Sequence, residues 1–270
     1  MKITLENRKK VSQFGNILKH LKHFSQDIEI FINEERLYAQ GMDGSQAALF
    51  ELVLKNDWFT SYEVDEEVVL GINCELIAKV LHCLNNNQTI TLEHNTKKDD
   101  LTICLIPREG EKCMLKEFKI PLFDLESQLM EIPDADYTAD LEIESQEFYQ
   151  LVDEMSIFGD KLEVNCNGEQ VKFTGKGNLG AMTAIIKEDD ILMYAVEEDA
   201  DLTVEYRMSY LKTFTCFSRI NQVTKLHMSD DKPMKIQFDM QDDPGLDDDD
   251  EEAEAENYLR FFLAPVVEDF

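Results

Sequence analysis

Val11-Ser12-Gln13-Phe14-Gly15-Asn16-Ile17-Leu18-Lys19-His20-Leu21-Lys22-His23-Phe24 decides the reading of this chain, because its apolar spacing returns 134 residues later. Phe14, Ile17, Leu18, Leu21 and Phe24 fall on Phe148, Leu151, Val152, Met155 and Phe158. Steps of three and four residues put each set on one face of a helix. Two amphipathic helices agree easily by chance, so the offset has to be followed outward. It carries Ile28 and Ile30 onto Leu162 and Val164, Asn33 onto Asn167, Leu37 onto Val171 and Gly41 onto Gly175. Further on it takes Leu76, Ile77 and Val80 to Tyr210, Leu211 and Phe214, then Gln88 to Gln222 and Leu92 to Leu226. A repeat of roughly half the chain, held without a gap, means two tandem copies of one fold.

Each copy opens with a short strand, Ile3 to Leu5 or Leu141 to Ile143, followed by the amphipathic helix. Alternating or apolar runs at Ile28 to Ile32, Leu37 to Gln40, Ala47 to Leu54 and Val68 to Ile72 read as strands. A second helix is expected over Glu75 to Leu84, closed by Asn85-Asn86-Asn87, with strands at Thr89 to Glu93 and Leu101 to Ile106 beyond it. The second copy repeats this order, with its second helix near Met208 to Ser218 and a last strand from Asn257 to Leu263. The class is α+β: two helices on antiparallel sheet in each domain, residues 1–121 and 138–270, joined by a strap at 122–137. That strap ends in Ile132-Pro133 and is more apolar than a solvated linker requires, so it is expected to lie on a domain surface.

With 270 residues, 43% of them hydrophobic, the chain can bury two ordinary cores. No apolar run approaches the ~20 residues that span a bilayer. The start, Met1-Lys2-Ile3-Thr4, lacks the apolar centre of a secretory leader, so the expectation is an intracellular protein without membrane contact. Six cysteines without a Cys-x-x-Cys pair suit reduced thiols and exclude a zinc site of the usual spacing. A net charge of −30 opposes a polyanionic partner if charge is spread evenly. It is not: Asp242 to Glu256 holds ten acids and no base, a self-repelling run expected to form an unfolded acidic loop at 241–256.

The bases collect on helices. At 100° per residue, Lys9, Lys19, Lys22 and His23 lie opposite the apolar face of the first helix, with no acid between Lys9 and Ser25. Lys79 and His82 hold the same place on the second helix, and Lys212 and Arg219 on the fourth. The third departs, showing Asp153 and Ile157. A charged solvent face is ordinary for any one helix, but base concentrated on three of four helices in so acidic a chain indicates a surface for phosphate. Aromatic residues do not interleave with these cations, so contacts would be to backbone and carry no sequence preference.

Catalytic readings fail on context. Gly175-Lys176-Gly177-Asn178-Leu179-Gly180 matches the dinucleotide fingerprint, yet it precedes a strand-like run and not a helix whose amino terminus could meet a pyrophosphate. His20 and His23 lack a third metal ligand, and the acidic run lacks the alternation of a calcium loop. With no G-K-[ST] loop, hydrolysis of ATP would have to come from another protein.

Gly41-Met42-Asp43-Gly44-Ser45-Gln46, Gly71-Ile72-Asn73 before Ala78-Lys79-Val80-Leu81, the strap ending Ile132-Pro133, and Phe262-Leu263-Ala264-Pro265 resemble the proliferating cell nuclear antigen family of sliding clamps along the whole chain. The resemblance implies a non-catalytic homotrimeric ring, pseudo-six-fold, without cofactors, its helices lining a hole for duplex DNA. DNA polymerase, a clamp-loader ATPase and proteins bearing a glutamine-aliphatic-aromatic motif are the implied partners. The matching pocket positions are Met42, Gln46, Leu49, Ile132, Pro133, Pro233, Phe262, Leu263, Ala264 and Pro265. Subunits would join through an edge strand from Cys113 to Lys119, including Leu115 and Glu117, against Met182 to Lys187, including Ala184 and Ile186. A nucleus or a viral replication compartment follows from the family. The lysine that many members offer for ubiquitin has no counterpart in Asn165-Cys166-Asn167-Gly168-Glu169. The rival readings are a subunit of a heterotrimeric checkpoint-type clamp, or an acidic scaffold that does not encircle DNA.

Overall fold

A computed structural model describes residues 1–125, 129–133, 135–178, 180–240 and 255–266. The first half runs β1 (Lys2–Leu5), α1 (Arg8–His20), β2 (Asp27–Ile32), β3 (Arg36–Met42), β4 (Ala48–Lys55), β5 (Ser61–Glu63), β6 (Val68–Asn73), α2 (Cys74–His82), β7 (Gln88–His94), β8 (Asp100–Pro107) and β9 (Lys116–Pro121). The second half runs β10 (Ala139–Glu144), α3 (Ser145–Met155), β11 (Lys161–Asn167), β12 (Gln170–Gly177), β13 (Gly180–Lys187), β14 (Met193–Val196), β15 (Asp201–Arg207), α4 (Met208–Thr215), β16 (Val223–Met228), β17 (Met234–Asp239) and β18 (Tyr258–Leu263). Both halves follow one order of strands and helices, and the offset of 134 places Asp27 on Lys161, Arg36 on Gln170 and Cys74 on Met208. Pairing repeats as well: β1 lies between β5 and β7 as β10 lies between β14 and β16, and β2 between β3 and β6 as β11 between β12 and β15, always antiparallel.

Contacts group the chain into two compact units, one of Met1–Met42, Glu51–Met130 and Met240–Leu259, the other of Asp43–Phe50, Glu131–Asp239 and Arg260–Phe270. In the first unit a five-stranded sheet has the order β5-β1-β7-β8-β9. Its strands alternate, so Leu101, Ile103 and Leu105 of β8 turn into the core. Helices α1 and α2 bury Phe14, Ile17 and Leu18 from the one and Ile77, Val80 and Leu81 from the other. Gly15 permits their approach: a Cβ there would stand 3.1 Å from the Leu84 side chain. Asn7 caps α1 by accepting from the backbone N–H groups of Lys9 and Lys10, and Asn73 caps α2 through Leu76.

The start of the strap is fastened to this unit. Phe123 donates its backbone N–H to the Gly71 carbonyl at 2.9 Å, where a Cβ on Gly71 would lie 1.9 Å from the Phe123 oxygen. Leu125 donates to the buried Glu29 carboxylate at 3.2 Å. Gln40 then holds Met130 twice, donating to its carbonyl at 2.9 Å and accepting from its N–H at 2.8 Å. Phe123, Leu129 and Met130 remain exposed, a surface course as the composition suggests.

The second unit carries the four-stranded sheet β13-β12-β11-β15 and the ladder β14-β10-β16-β17. Leu162, Val164 and Cys166 alternate inward along β11, and Phe214 stacks on Phe261 at 4.6 Å with Phe217 beside it. Of the glycine-rich stretch, Gly175 to Gly177 end β12 and Gly180, at φ +141°, opens β13. Helix α4 stops at Thr215 and not near Ser218, because Phe217, Ser218 and Ile220 each bond a carbonyl three residues back, a tighter winding that buries both Phe217 and Ile220. The unfolded stretch expected at 241–256 lies outside the described residues except for Ala255 and Glu256, and these are held: Ala255 is buried and Glu256 pairs with Lys55.

Candidate functional site

Helix α1 opposes its own dipole. Arg8, Lys9 and Lys10 occupy its first turn, where acids are favoured by about 0.3–1 kcal/mol each, and no acid sits among them. Lys9, Lys22 and His23 are exposed and Lys19 half-exposed, so the side of α1 and its following turn is cationic as read from the sequence. On α2, Lys79 and His82 are exposed, but Lys79 pairs with Glu75 at 2.9 Å and holds that carboxyl below its ordinary value. On α4, Lys212 is exposed and shared between Asp153 of α3 at 3.5 Å and the Ser156 hydroxyl at 3.0 Å. Arg219 is exposed but sits in the turn beyond α4, a correction that follows from the early end of that helix. The second unit's helices are therefore less cationic than the first's: Asp153 offsets Lys212, and Tyr149 and Ile157 are exposed beside it.

The expected pocket positions scatter. Leu263, Ala264 and Pro265 line a cavity of about 160 Å³ in the second unit, together with Ser45, Arg207, Tyr210 and Val266, which sequence reasoning missed as lining residues. Leu49, Ile132 and Phe262 are half-buried and Gln46, Pro133 and Pro233 exposed, none of them in its wall; Met42 ends β3 in the first unit with 36% exposure. A hydrogen-bond network shapes the cavity. Asp43 accepts from the Tyr210 hydroxyl at 2.7 Å, from the Ser45 hydroxyl at 2.6 Å and from the N–H groups of Ser45, Ala47 and Ala48. Burial pushes the Asp43 carboxyl up, but these donors outweigh it and hold it at about 2. Ala264 donates to the Ala47 carbonyl at 2.9 Å and Val266 to Glu205 at 2.8 Å, pinning the carboxy-terminal segment between the Asp43 loop and β15. The result is an apolar wall of Leu263, Pro265 and Val266 under a polar rim of Ser45, Tyr210 and Arg207, sized for one side chain.

Sheet edges are where another strand can add, and two of them lie where the subunit contacts are expected. β9 ends the five-stranded sheet and β13 the four-stranded one. The strand expected from Cys113 begins only at Lys116, because Gln88, fully buried, takes the Met114 carbonyl at 2.8 Å and the Cys113 thiol turns to Asn87, so neither joins the ladder. Leu115 is left 60% exposed just before the edge and Glu117 exposed on it. On β13, Met182, Ala184 and Ile186 are half-buried on one face while Ile185 is 55% exposed on the other. Long edges with exposed apolar residues are templates for another strand.

Among the described residues no group of three His, Cys, Asp or Glu could hold a metal ion, and His20 and His23 stack ring on ring at 5.9 Å. No described helix is long and apolar enough to cross a membrane.

Residues 5–129 match the family model for the proliferating cell nuclear antigen N-terminal domain, and residues 131–246 match that for its C-terminal domain. Proliferating cell nuclear antigen 2 of Drosophila melanogaster is 27% identical over 237 residues, 88% of this chain and 87% of its own length. Proliferating cell nuclear antigen of Dictyostelium discoideum is 26% identical over 263 residues, 95% and 96% of the two chains.

Proposed function

The chain belongs to the proliferating cell nuclear antigen family, and from that membership we infer how its own residues serve a DNA sliding clamp. As a member it is a non-catalytic processivity factor of DNA replication and repair, binding DNA, polymerases and clamp loaders. Our reading is of a homotrimer that encircles duplex DNA, with Lys9, Lys19, Lys22 and His23 of the first unit as the principal phosphate contacts, Lys79 and His82 beside them, and Lys212 and Arg219 contributing less. The observation that carries it is the acid-free cationic course of α1 in a chain of net charge −30, kept although the helix dipole opposes it. Exposed cations are screened within about 8 Å at physiological salt, so such contacts hold weakly and let a ring slide.

The open edges support ring closure. Joining β9 of one copy to β13 of the next, with Leu115 and Ile185 covered, would leave neither edge free. The cavity at Ser45, Tyr210 and Pro265 supports partner docking: its polar rim over an apolar wall suits an amide side chain, such as the glutamine of a clamp-binding motif. On the first unit, the exposed Leu129 and Met130 are separate apolar surface that a partner would cover.

Light scattering coupled to size exclusion, at micromolar protein, tests the assembly. A mass three times 31.3 kDa is expected, followed by loader-dependent extension of primed circular DNA by a polymerase. A stable 31.3 kDa species would sink the self-sufficient ring and turn attention to a heterotrimer.

A further inference from the structure

The two copies treat one position of the repeat in opposite ways. A tight turn at Asn56–Trp58 leads into β5 in the first unit, and its counterpart at Glu188–Asp190 leads into β14 in the second. Two tyrosines fix the correspondence. Tyr62 faces Ile3 of β1 as Tyr194 faces Leu141 of β10, and their hydroxyls donate to the carbonyls of Asn33 and Asn167, each at 2.8 Å. Asp190 therefore stands where the first copy has Trp58. Trp58 is 2% exposed, packed on Phe14 and Phe59, with the Lys10 ammonium 5.8 Å from its ring centre. A carboxylate cannot take that buried place without a partner, and Asp190 stays exposed.

A cavity of about 140 Å³ lies beside Asp190, wholly within the second unit. Its floor is apolar and deep: Leu141, Ile143 and Val171 are each no more than 5% exposed. Its rim carries Glu144, Glu147 and Asp190, and no base is in its wall. Glu142, also in the wall, is taken up by Lys225 at 3.2 Å, but Glu144, Glu147 and Asp190 form no ion pair among the described residues. The repeat places Glu144 where the first copy has Lys10, so the charge beside the cavity is reversed as well. Next to it Leu192 is 58% and Met193 38% exposed, on β14 and its approach at the end of the ladder. An apolar hole the size of one side chain, rimmed by unpaired carboxylates, suits an aliphatic stem that ends in a cation.

We propose that this cavity binds an arginine side chain presented by a basic segment of a partner protein. The stem lies on Ile143 and Val171, the guanidinium reaches Glu144, Glu147 and Asp190, and flanking residues of the segment cover Leu192 and Met193. Arginine fits better than lysine because its planar group is weakly hydrated and pairs with carboxylates in a fork, and because a planar group, the Trp58 indole, fills the equivalent place in the first copy. The site shares no residue with the cavity at Ser45 and Tyr210 or with the helix cations, and it stands whether or not the chain encircles DNA.

The test uses the full chain at physiological salt and a fluorescein-labelled peptide of alternating arginine and leucine, read by anisotropy. Because the whole chain is acidic, a charge-matched control is needed: Glu144→Gln with Glu147→Gln is compared with Glu66→Gln and Glu67→Gln, which neutralise two exposed acids of the first unit. The cavity pair should weaken binding about five- to tenfold and the control pair less than about twofold. Asp190→Trp, which writes the first copy's residue into the second, should fill the cavity and weaken binding at least about tenfold while leaving the thermal midpoint no lower. Equal losses from the cavity and control pairs would show diffuse attraction to an acidic surface and overturn the site. A parent chain that binds the arginine peptide no better than one with glutamine in place of arginine overturns it too. If the cavity pair lowers the oligomeric mass, the occupant is a neighbouring copy of this chain and the partner assignment falls.

Discussion

Asp43 gathers five donors from Tyr210, Ser45, Ala47 and Ala48, so its side chain sets the shape of the loop at the rim of the cavity. Because its carboxyl is held at about 2 against an ordinary 3.8, its contribution is fully present above about pH 4 and is lost as the pH falls toward 2. Asp43→Asn should cost about 1–2 kcal/mol in denaturant unfolding at pH 7 and flatten the acid limb of stability between pH 4 and 2, read by circular dichroism. An unchanged acid limb would show that the network is not held in solution. Gly71 has a different reason for its identity, since any Cβ runs into the Phe123 carbonyl. Gly71→Ala should release the first residues of the strap, seen as faster cleavage near Phe123 by chymotrypsin, at about 1–3 kcal/mol; protection equal to the parent's would mean that the strap can shift aside.

At the scale of elements, α1 and α4 are expected to differ in their hold on DNA. Replacing Lys19 and Lys22 by Glu should reduce duplex affinity by tenfold or more at low salt, on the order of 1–2 kcal/mol, and shorten residence of the loaded protein. Asp153→Asn should strengthen binding modestly, about twofold, because Lys212 loses its 3.5 Å partner. Equal losses from Lys19 and Lys212 variants would argue against the first unit as the stronger hand. Helix α1 was readable from its sequence because Phe14, Ile17 and Leu18 form one apolar stripe at helical spacing, and the structure buries it. The end of α4 was not readable: Phe217 continues the helical spacing and only the packed chain shows the tighter turns that bury it with Ile220. The start of β9 was hidden for a similar reason, since nothing local announces that Gln88 takes the Met114 carbonyl. Of the cavity, Leu263, Ala264 and Pro265 were legible as a group, whereas Ser45 and the Arg207–Tyr210 segment lie far from it and from each other in sequence and meet only through folding.

For the whole molecule, the repeat is what the proposed ring rests on. One order of strands and helices, written twice, gives each copy of the chain a β9 edge and a β13 edge that differ in sequence. Ile185→Lys on β13 should lower the mass from about three chains toward one at micromolar protein by burying a charge in the seam, a change of about 2–4 kcal/mol per contact. A trimer of normal stability would place the seam elsewhere. Because the two edges are not alike, a chain spoiled at β13 alone keeps a sound β9. Mixed with unspoiled chains, it would still be accepted at one end of a growing assembly and then stop it, like a link with a single hook. A minority of such chains would disable a majority, and the deficit in closed rings would grow faster than the fraction of spoiled protein.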